Sequence, residues 1–135
     1  MSLQDFLNAN PVDNLVEEVT ISPRFKDKKG NLMPFKIKAM TNKEFDEIRK
    51  ACTMVKKGRK VEFDAQKFNI KMVINHTITP DFKHADSIKK LGCATADDYV
   101  QRVLLSGEVT TLAAKIQELS GFDVDMEELV EESKN

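Results

Sequence analysis

One segment near the middle of the chain constrains the fold more than any other. Residues 65–78, AQKFNIKMVINHTI, place Phe68 and Met72 on one helical stripe and β-branched residues on another. A helix that is apolar on more than one face must be covered from more than one side. We therefore predict a central buried helix here, with Asp64 as its N-cap and Pro80 beyond its end.

Two segments before this helix have the two-residue period of strands. They are LVEEVTI (15–21) and PFKIKAM (34–40), and both contain β-branched or aromatic residues at alternate positions. Together they predict a β-hairpin. Its connection, SPRFKDKKGN, is too long for a two-residue turn and predicts an extended, mobile loop.

The remaining segments combine the helical period with capping residues. Ser2 with Asp5 predicts a short N-terminal helix, and Thr41 with Glu44 predicts a helix to about Cys52. Three further helices are predicted to begin at the caps Asp86, Thr95 and Ser106, with Gly92 closing the first and Gly121 the last. Residues 54–63, which contain the run KKGRK, are predicted to form a loop.

These elements predict an α+β fold. The chain of 135 residues is long enough for one domain with its own core. We expect a mainly helical single domain over residues 1–135, with an N-terminal β-hairpin and about five helices. The hairpin spans about 15–40 and the helical part about 41–133.

No reactive centre is predicted. The soft metal ligands Cys52, Cys93, His76 and His84 have no zinc-like spacing, and nothing supports a nucleophile pair. We expect reduced cysteines, His76 at the edge of the core, His84 on a loop, and no catalytic residue, cofactor or metal. Without a signal peptide or an 18-residue apolar run, the expected compartment is the cytoplasm, with no membrane partner.

A basic stretch between residues 49 and 60 leaves three interpretations open. It contains Arg49, Lys50, Lys56, Lys57, Arg59 and Lys60 without an intervening acid. Such a run can neutralise phosphates, as in a small nucleic-acid-binding regulator. However, aromatic residues for stacking are missing from it, and the sequence pI is about 6.1. A solvated loop is favoured over a partner contact made by Lys56, Lys57, Arg59 and Lys60, and nucleic acid is not expected.

The last fifteen residues, GFDVDMEELVEESKN, form an acidic amphipathic tail. Met126, Leu129 and Val130 follow helical spacing, while six carboxylates and one lysine surround them. The tail is interpreted either as a last helix of the core or as a partner-binding helix, with self-association as a third possibility. Methionine adapts to varied partners, and the carboxylates keep an unbound tail in solution.

Two regions of the chain resemble the XkdN-like phage tail assembly chaperones, found in prophages of Gram-positive bacteria. The first is RFKDKKGNLMPFKIKAMTNKEFDEIRKACT, at residues 24–53. The second begins at Gly107-Glu108, continues through IQELSGFD and ends on EELVEESKN. The same order of stretches along most of the chain is more specific than any short motif.

This resemblance implies a non-enzymatic protein made during tail morphogenesis and absent from the finished virion. Such a protein holds the long tape measure protein in soluble form and helps recruit tail-tube subunits in the host cytoplasm. The resemblance does not imply roles for particular residues. The partner-binding candidates therefore rest only on the chemistry of their side chains. They are Met126, Leu129, Val130 and the basic residues 56–60.

Overall fold

This computed structural model describes residues 2–122, which contain six α-helices, a 3₁₀-helix (Val12–Asn14) and five β-strands. The helices are α1 (Leu3–Ala9), α2 (Asn42–Ala51), α3 (Ala65–His76), α4 (Ala85–Lys90), α5 (Ala96–Val103) and α6 (Ser106–Leu119). The strands are β1 (Val16–Val19), β2 (Phe35–Lys38), β3 (Thr53–Lys56), β4 (Lys60–Phe63) and β5 (Thr77–Thr79). The predicted α+β fold class is confirmed.

Helix α3 lies at the centre of the core, as the sequence predicts. The helices α2, α5 and α6 all pack against it. Its buried residues are Phe68, Ile70, Met72, Val73, Ile74 and His76. Asp64 caps the helix, since its carboxylate accepts a hydrogen bond of 3.0 Å from the Lys67 amide.

The predicted N-terminal hairpin forms part of a three-stranded antiparallel sheet in the order β1-β2-β5. Val16 pairs with Lys38 and Val19 with Phe35. Helix α6 packs against β1 and β2. Ile37 of β2 is fully buried, so the middle strand contributes directly to the core.

The central helix is shorter than predicted because its last residues form a strand. The sequence prediction extended it to Ile78, but α3 ends at His76, and residues 77–79 form β5 against β2. The β-branched residues Thr77 and Ile78 have lower helix propensity, and Pro80 disfavours helical geometry in the residue before it. Pairing with β2 then gives these backbone groups their hydrogen-bond partners.

The loop predicted at residues 54–63 is wrong: this segment is largely the hairpin β3–β4. Val55 pairs with Val61 and Lys56 with Lys60. Gly58 and Arg59 turn the chain at positive φ, +85° and +64°. The flanking sequences TMVK and KVEF have the composition of strands, which the intervening basic run obscured.

The predicted helix starts are confirmed at α1, α2 and α5 and wrong at α4 and α6. At α4 the His84 ring nitrogen, rather than Asp86, accepts from the Ser87 amide, so His84, which lies on the loop before the helix as predicted, is its N-cap. At α6 the N-cap is Leu105 rather than Ser106. The carboxylate of Glu108 accepts from the Leu105 amide at 2.8 Å and so satisfies that terminus.

His76 is fully buried rather than at the edge of the core. Its side-chain Nδ1 has no hydrogen-bond partner among the described residues. Burial lowers the pKa of His76 to about 4, against the opposing attraction of Glu44. The imidazole is therefore neutral at physiological pH and behaves as a core residue.

The central position of α3 predicts a large cost for shortening its buried side chains. Met72 is 0% exposed, and we expect Met72→Ala to lower the free energy of unfolding by about 2–5 kcal/mol, because it leaves a cavity. The matched control is Gln66→Ala, on the exposed part of the same helix, which should stay within about 0.5 kcal/mol of wild type. Urea unfolding measures both. Equal effects would contradict the central role of α3.

Candidate partner-binding surfaces

The connection between β1 and β2 is tied to helix α6 by a two-pronged ion pair. The Arg24 Nη2 and Nε atoms donate to the Glu108 carboxylate at 2.6 Å and 3.0 Å. Arg24 also donates to the Val103 carbonyl at 2.9 Å. This segment, predicted as an extended loop, contains a small turn in which Asp27 accepts from the Lys29 and Asn31 amides.

The buried side of this pair is the carboxylate. The Glu108 side chain is 6% exposed, whereas the Arg24 side chain is 47% exposed. The hydrogen bonds from Arg24, followed by the one from the Leu105 amide, lower the pKa of Glu108 to about 2 despite its burial. Glu108 therefore remains charged, closes the start of α6 and holds the β1–β2 connection in place.

The end of α6 is fixed just as closely. Gly121, at φ +92°, donates to the Glu118 carbonyl, and Phe122 donates to the Gln117 carbonyl at 2.9 Å. These two bonds form a Schellman motif, which requires a residue that tolerates positive φ. The Ser120 hydroxyl oxygen accepts from the Met40 amide at 2.8 Å and so joins this end to the segment before α2.

The stretches that carry the family resemblance therefore contain residues that stabilise the fold of this chain. Arg24 and Glu108 join two of them, Thr41 and Glu44 form the capping box of α2, and Gly121 ends α6. These residues support the fold. Within the described residues, a candidate partner-binding surface lies largely outside these stretches.

The hairpin β3–β4 presents such a surface. Residues directly opposite one another in an antiparallel pair lie on one face of the sheet, which places Thr53, Val55, Val61 and Phe63 together. We call this set the hairpin face. Val55 is 76% exposed, Val61 67% and Phe63 47%. The sequence analysis did not predict this apolar face, although the composition of residues 53–56 and 60–63 is typical of strands.

The candidate basic residues are divided between two elements. Arg49 and Lys50 lie on α2, where both contact Asp46, at 2.8 Å and 3.1 Å. Together with Thr53, Val61 and Phe63 they line a shallow hollow beside the hairpin face. The other four, Lys56, Lys57, Arg59 and Lys60, lie exposed at and beside the hairpin turn, and Lys56 pairs with Glu62. The continuous basic run of the sequence is therefore not one phosphate-binding surface.

Two other apolar surfaces occur in the described part of the chain. On α1, Leu3, Phe6 and Leu7 are 50% exposed or more, and no residue of this helix is buried. A groove of about 310 Å³ lies between the sheet and α5. Its lining residues are Phe25, Met33, Pro34, Phe35, Thr79, Pro80, Phe82, Tyr99, Val103 and Leu104.

The tail candidates Met126, Leu129 and Val130 lie outside the described residues.

Within residues 2–122, no group of three or more His, Cys, Asp and Glu side chains is placed to hold a metal ion. No described helix combines the length and apolarity needed to cross a membrane.

These features define a small α+β protein whose exposed apolar surfaces suit contact with other proteins. Residues 3–134 match the family described as "Phage XkdN-like tail assembly chaperone protein". The chain therefore belongs to the XkdN-like family of phage tail assembly chaperones.

Relatives in Bacillus subtilis (strain 168) resemble the chain over nearly its full length. It is 36% identical to the phage-like element PBSX protein XkdN over 138 residues, covering 98% of this chain and 93% of the relative. It is 35% identical to the protein YqbN with the same coverage. A crystal structure of YqbN matches the fold with a TM-score of 0.72 at 32% identity, covering 91% of this chain and 98% of that one.

The Arg24–Glu108 pair predicts a specific acid sensitivity. Because the folded-state pKa of Glu108 is about 2, below its ordinary 4.5, its contribution to stability is complete above pH 4.5 and is lost as the pH falls toward 2. Glu108→Gln should lower the free energy of unfolding at neutral pH by about 2 kcal/mol. The free energy of unfolding of this variant should also decrease less steeply than that of wild type between pH 4.5 and pH 2.

Urea unfolding across this pH range measures the effect. The control is Glu118→Gln, which removes an exposed carboxylate from the same helix and should change stability much less. If the free energy of unfolding fell equally steeply with decreasing pH in Glu108→Gln and in wild type, the ion pair would not be the cause of the acid sensitivity.

Proposed function

We propose that this chain is a non-enzymatic chaperone that binds the tape measure protein of its own phage or prophage and helps recruit tail-tube subunits. It acts in the host cytoplasm and does not remain in the virion. The observation that carries the proposal is the hairpin face, an exposed apolar surface that lies beside basic side chains and outside the core. Family membership supplies the biological setting.

A surface of this kind suits a reversible helical partner. A tape measure protein is expected to be long, helical and striped with apolar residues until the tail tube encloses it. An amphipathic helix binds by laying its apolar face on an apolar surface, while charged residues at the rim set its orientation. A chaperone that must later release its client needs a small apolar contact rather than a large one.

Besides the hairpin face, two groups of residues are proposed to contact the partner. Met126, Leu129 and Val130 supply an apolar anchor on the tail. Lys56, Lys57, Arg59 and Lys60 supply basic contacts at and beside the turn of β3–β4, where they are exposed. The alternative hypothesis is that these residues mediate self-association.

The alternative of a nucleic-acid-binding regulator is disfavoured by the geometry. Arg49 and Lys50 already contact Asp46, and Lys56 contacts Glu62. Each pairing reduces the positive charge available for phosphates. The apolar hairpin face beside these residues fits a protein surface better than a nucleic-acid backbone.

Co-expression with the tape measure protein from the same phage or prophage tests the proposal. Native mass measurement of the purified chain should show a complex that contains both proteins at defined stoichiometry. Tail-tube subunits, added afterwards, should join this complex. A chain that is recovered without the tape measure protein, in spite of good expression of both, would exclude the proposed function.

Removing residues 123–135 tests the part played by the tail. If the tail serves the partner, the deletion should cost the domain no more than about 1 kcal/mol of stability, because a helix of about ten residues contributes little alone. It should also abolish co-purification with the tape measure protein. The full-length variant Met126→Ser/Leu129→Ser/Val130→Ser should give the same result.

If the tail is instead part of the core, the loss of two or three buried side chains should cost about 1.5–3 kcal/mol each. A truncated protein that stays folded and still captures the tape measure protein would exclude a partner role for the tail. The basic residues 56–60 would then remain as the proposed contact.

A further inference from the structure

The hairpin face is apolar, exposed and next to basic residues. Val55 and Val61 are each more than 60% exposed, although they lie opposite one another in the middle of the hairpin. Arg49 and Lys50 line the adjoining hollow, with side chains 58% and 74% exposed, and both pair with Asp46, which leaves one net positive charge at this rim. An apolar strip with a basic rim is complementary to an amphipathic segment that carries acidic residues.

The described part of the chain ends close to this face. The Phe122 ring packs on Phe45 with centroids 5.0 Å apart, and Phe45 packs on Phe68 at 5.6 Å. Phe68 in turn packs on Phe63 of the hairpin face at 5.3 Å. This row of four aromatic rings leads from the point where residues 123–135 begin to the hairpin face.

The segment that begins there has the complementary chemistry. Residues 123–135 carry six carboxylates and one lysine around Met126, Leu129 and Val130. Ten residues in helical form are about 15 Å long, and a few linking residues add about 3.3–3.6 Å each. The segment can therefore reach along the aromatic row.

Charge complementarity with the acidic segment 123–135 favours the hairpin face over the other two apolar surfaces. Helix α1 carries Asp5 and no basic residue, so it would repel an acidic segment. The groove beside α5 has no lysine or arginine in its lining, and Arg24, which stacks on Phe25 at its edge, is already paired with Glu108. Among the described apolar surfaces, the hairpin face combines a basic rim with proximity to Phe122.

We propose that, in the isolated protein, the acidic tail, residues 123–135, docks on the hairpin face of its own chain. Met126, Leu129 and Val130 cover Val55, Val61 and Phe63, and the tail carboxylates face Arg49 and Lys50. The tail and hairpin then shield each other's apolar residues until a partner displaces the contact. The inference concerns the free protein and stands whether or not the tape measure protein is that partner.

Amide NMR spectra of full-length variants test this docking without a partner. Leu129→Ser/Val130→Ser should shift the amide resonances of residues 53–63, and Val61→Ser should reciprocally shift those of the tail. The matched control, Leu3→Ser/Phe6→Ser, removes comparably exposed apolar side chains from α1 and should leave residues 53–63 unchanged. Unchanged amide resonances of the fully buried α3 residues Met72 and Val73 verify that each variant is folded.

Added salt should weaken the docking, because part of it is attraction between exposed charges. The shifts should not depend on protein concentration. Unaltered resonances at residues 53–63 in the tail variant would overturn the proposal, as would shifts that appear on α1 or along the α5 groove instead. Shifts that vanish on dilution would place the tail on a second copy and would also overturn docking within one chain.

Discussion

Burial of α3 on several sides is the constraint on which the rest of the structure depends. A helix that is apolar around most of its circumference cannot lie on a surface, so α2, α5 and α6 must all cover it. Each large side chain buried there contributes about 1.5–3 kcal/mol. Among residues 2–122 the buried side chains cluster around α3, whereas α1 and the hairpin β3–β4 keep apolar side chains exposed.

The polar contacts of the fold secure the ends of elements around this core. Glu108 joins the start of α6 to the β1–β2 connection through Arg24, while Ser120 joins the end of α6 to the start of the α2 segment. These residues lie in the stretches that resemble the family. A resemblance can therefore identify the fold and its biological setting, while part of the surface proposed to contact a partner, such as Val55 and Val61, lies in other residues.

The parts of the fold that could be predicted have strong local signals. The two-sided apolar pattern of α3 and the capping box of Thr41 and Glu44 each specify a helix without distant contacts. Strand β5 could not be found this way, because three residues form a strand only when β2 lies beside them. At the candidate site, the sequence identified the exposed basic residues 56–60 but assigned them to a loop, since the charge of the turn masked two four-residue strands. The tail candidates remain predictions.

Native-state hydrogen exchange on the full-length chain tests the central claim, that a core closed around α3 supports peripheral surfaces able to rearrange separately. The account predicts that buried α3 amides, such as those of Met72 and Val73, exchange only through global unfolding. Amides of β3–β4 should exchange through local openings of clearly lower free energy. If α3 opened as readily as the hairpin, or the hairpin amides were protected to the level of global unfolding, this account of the protein would be contradicted.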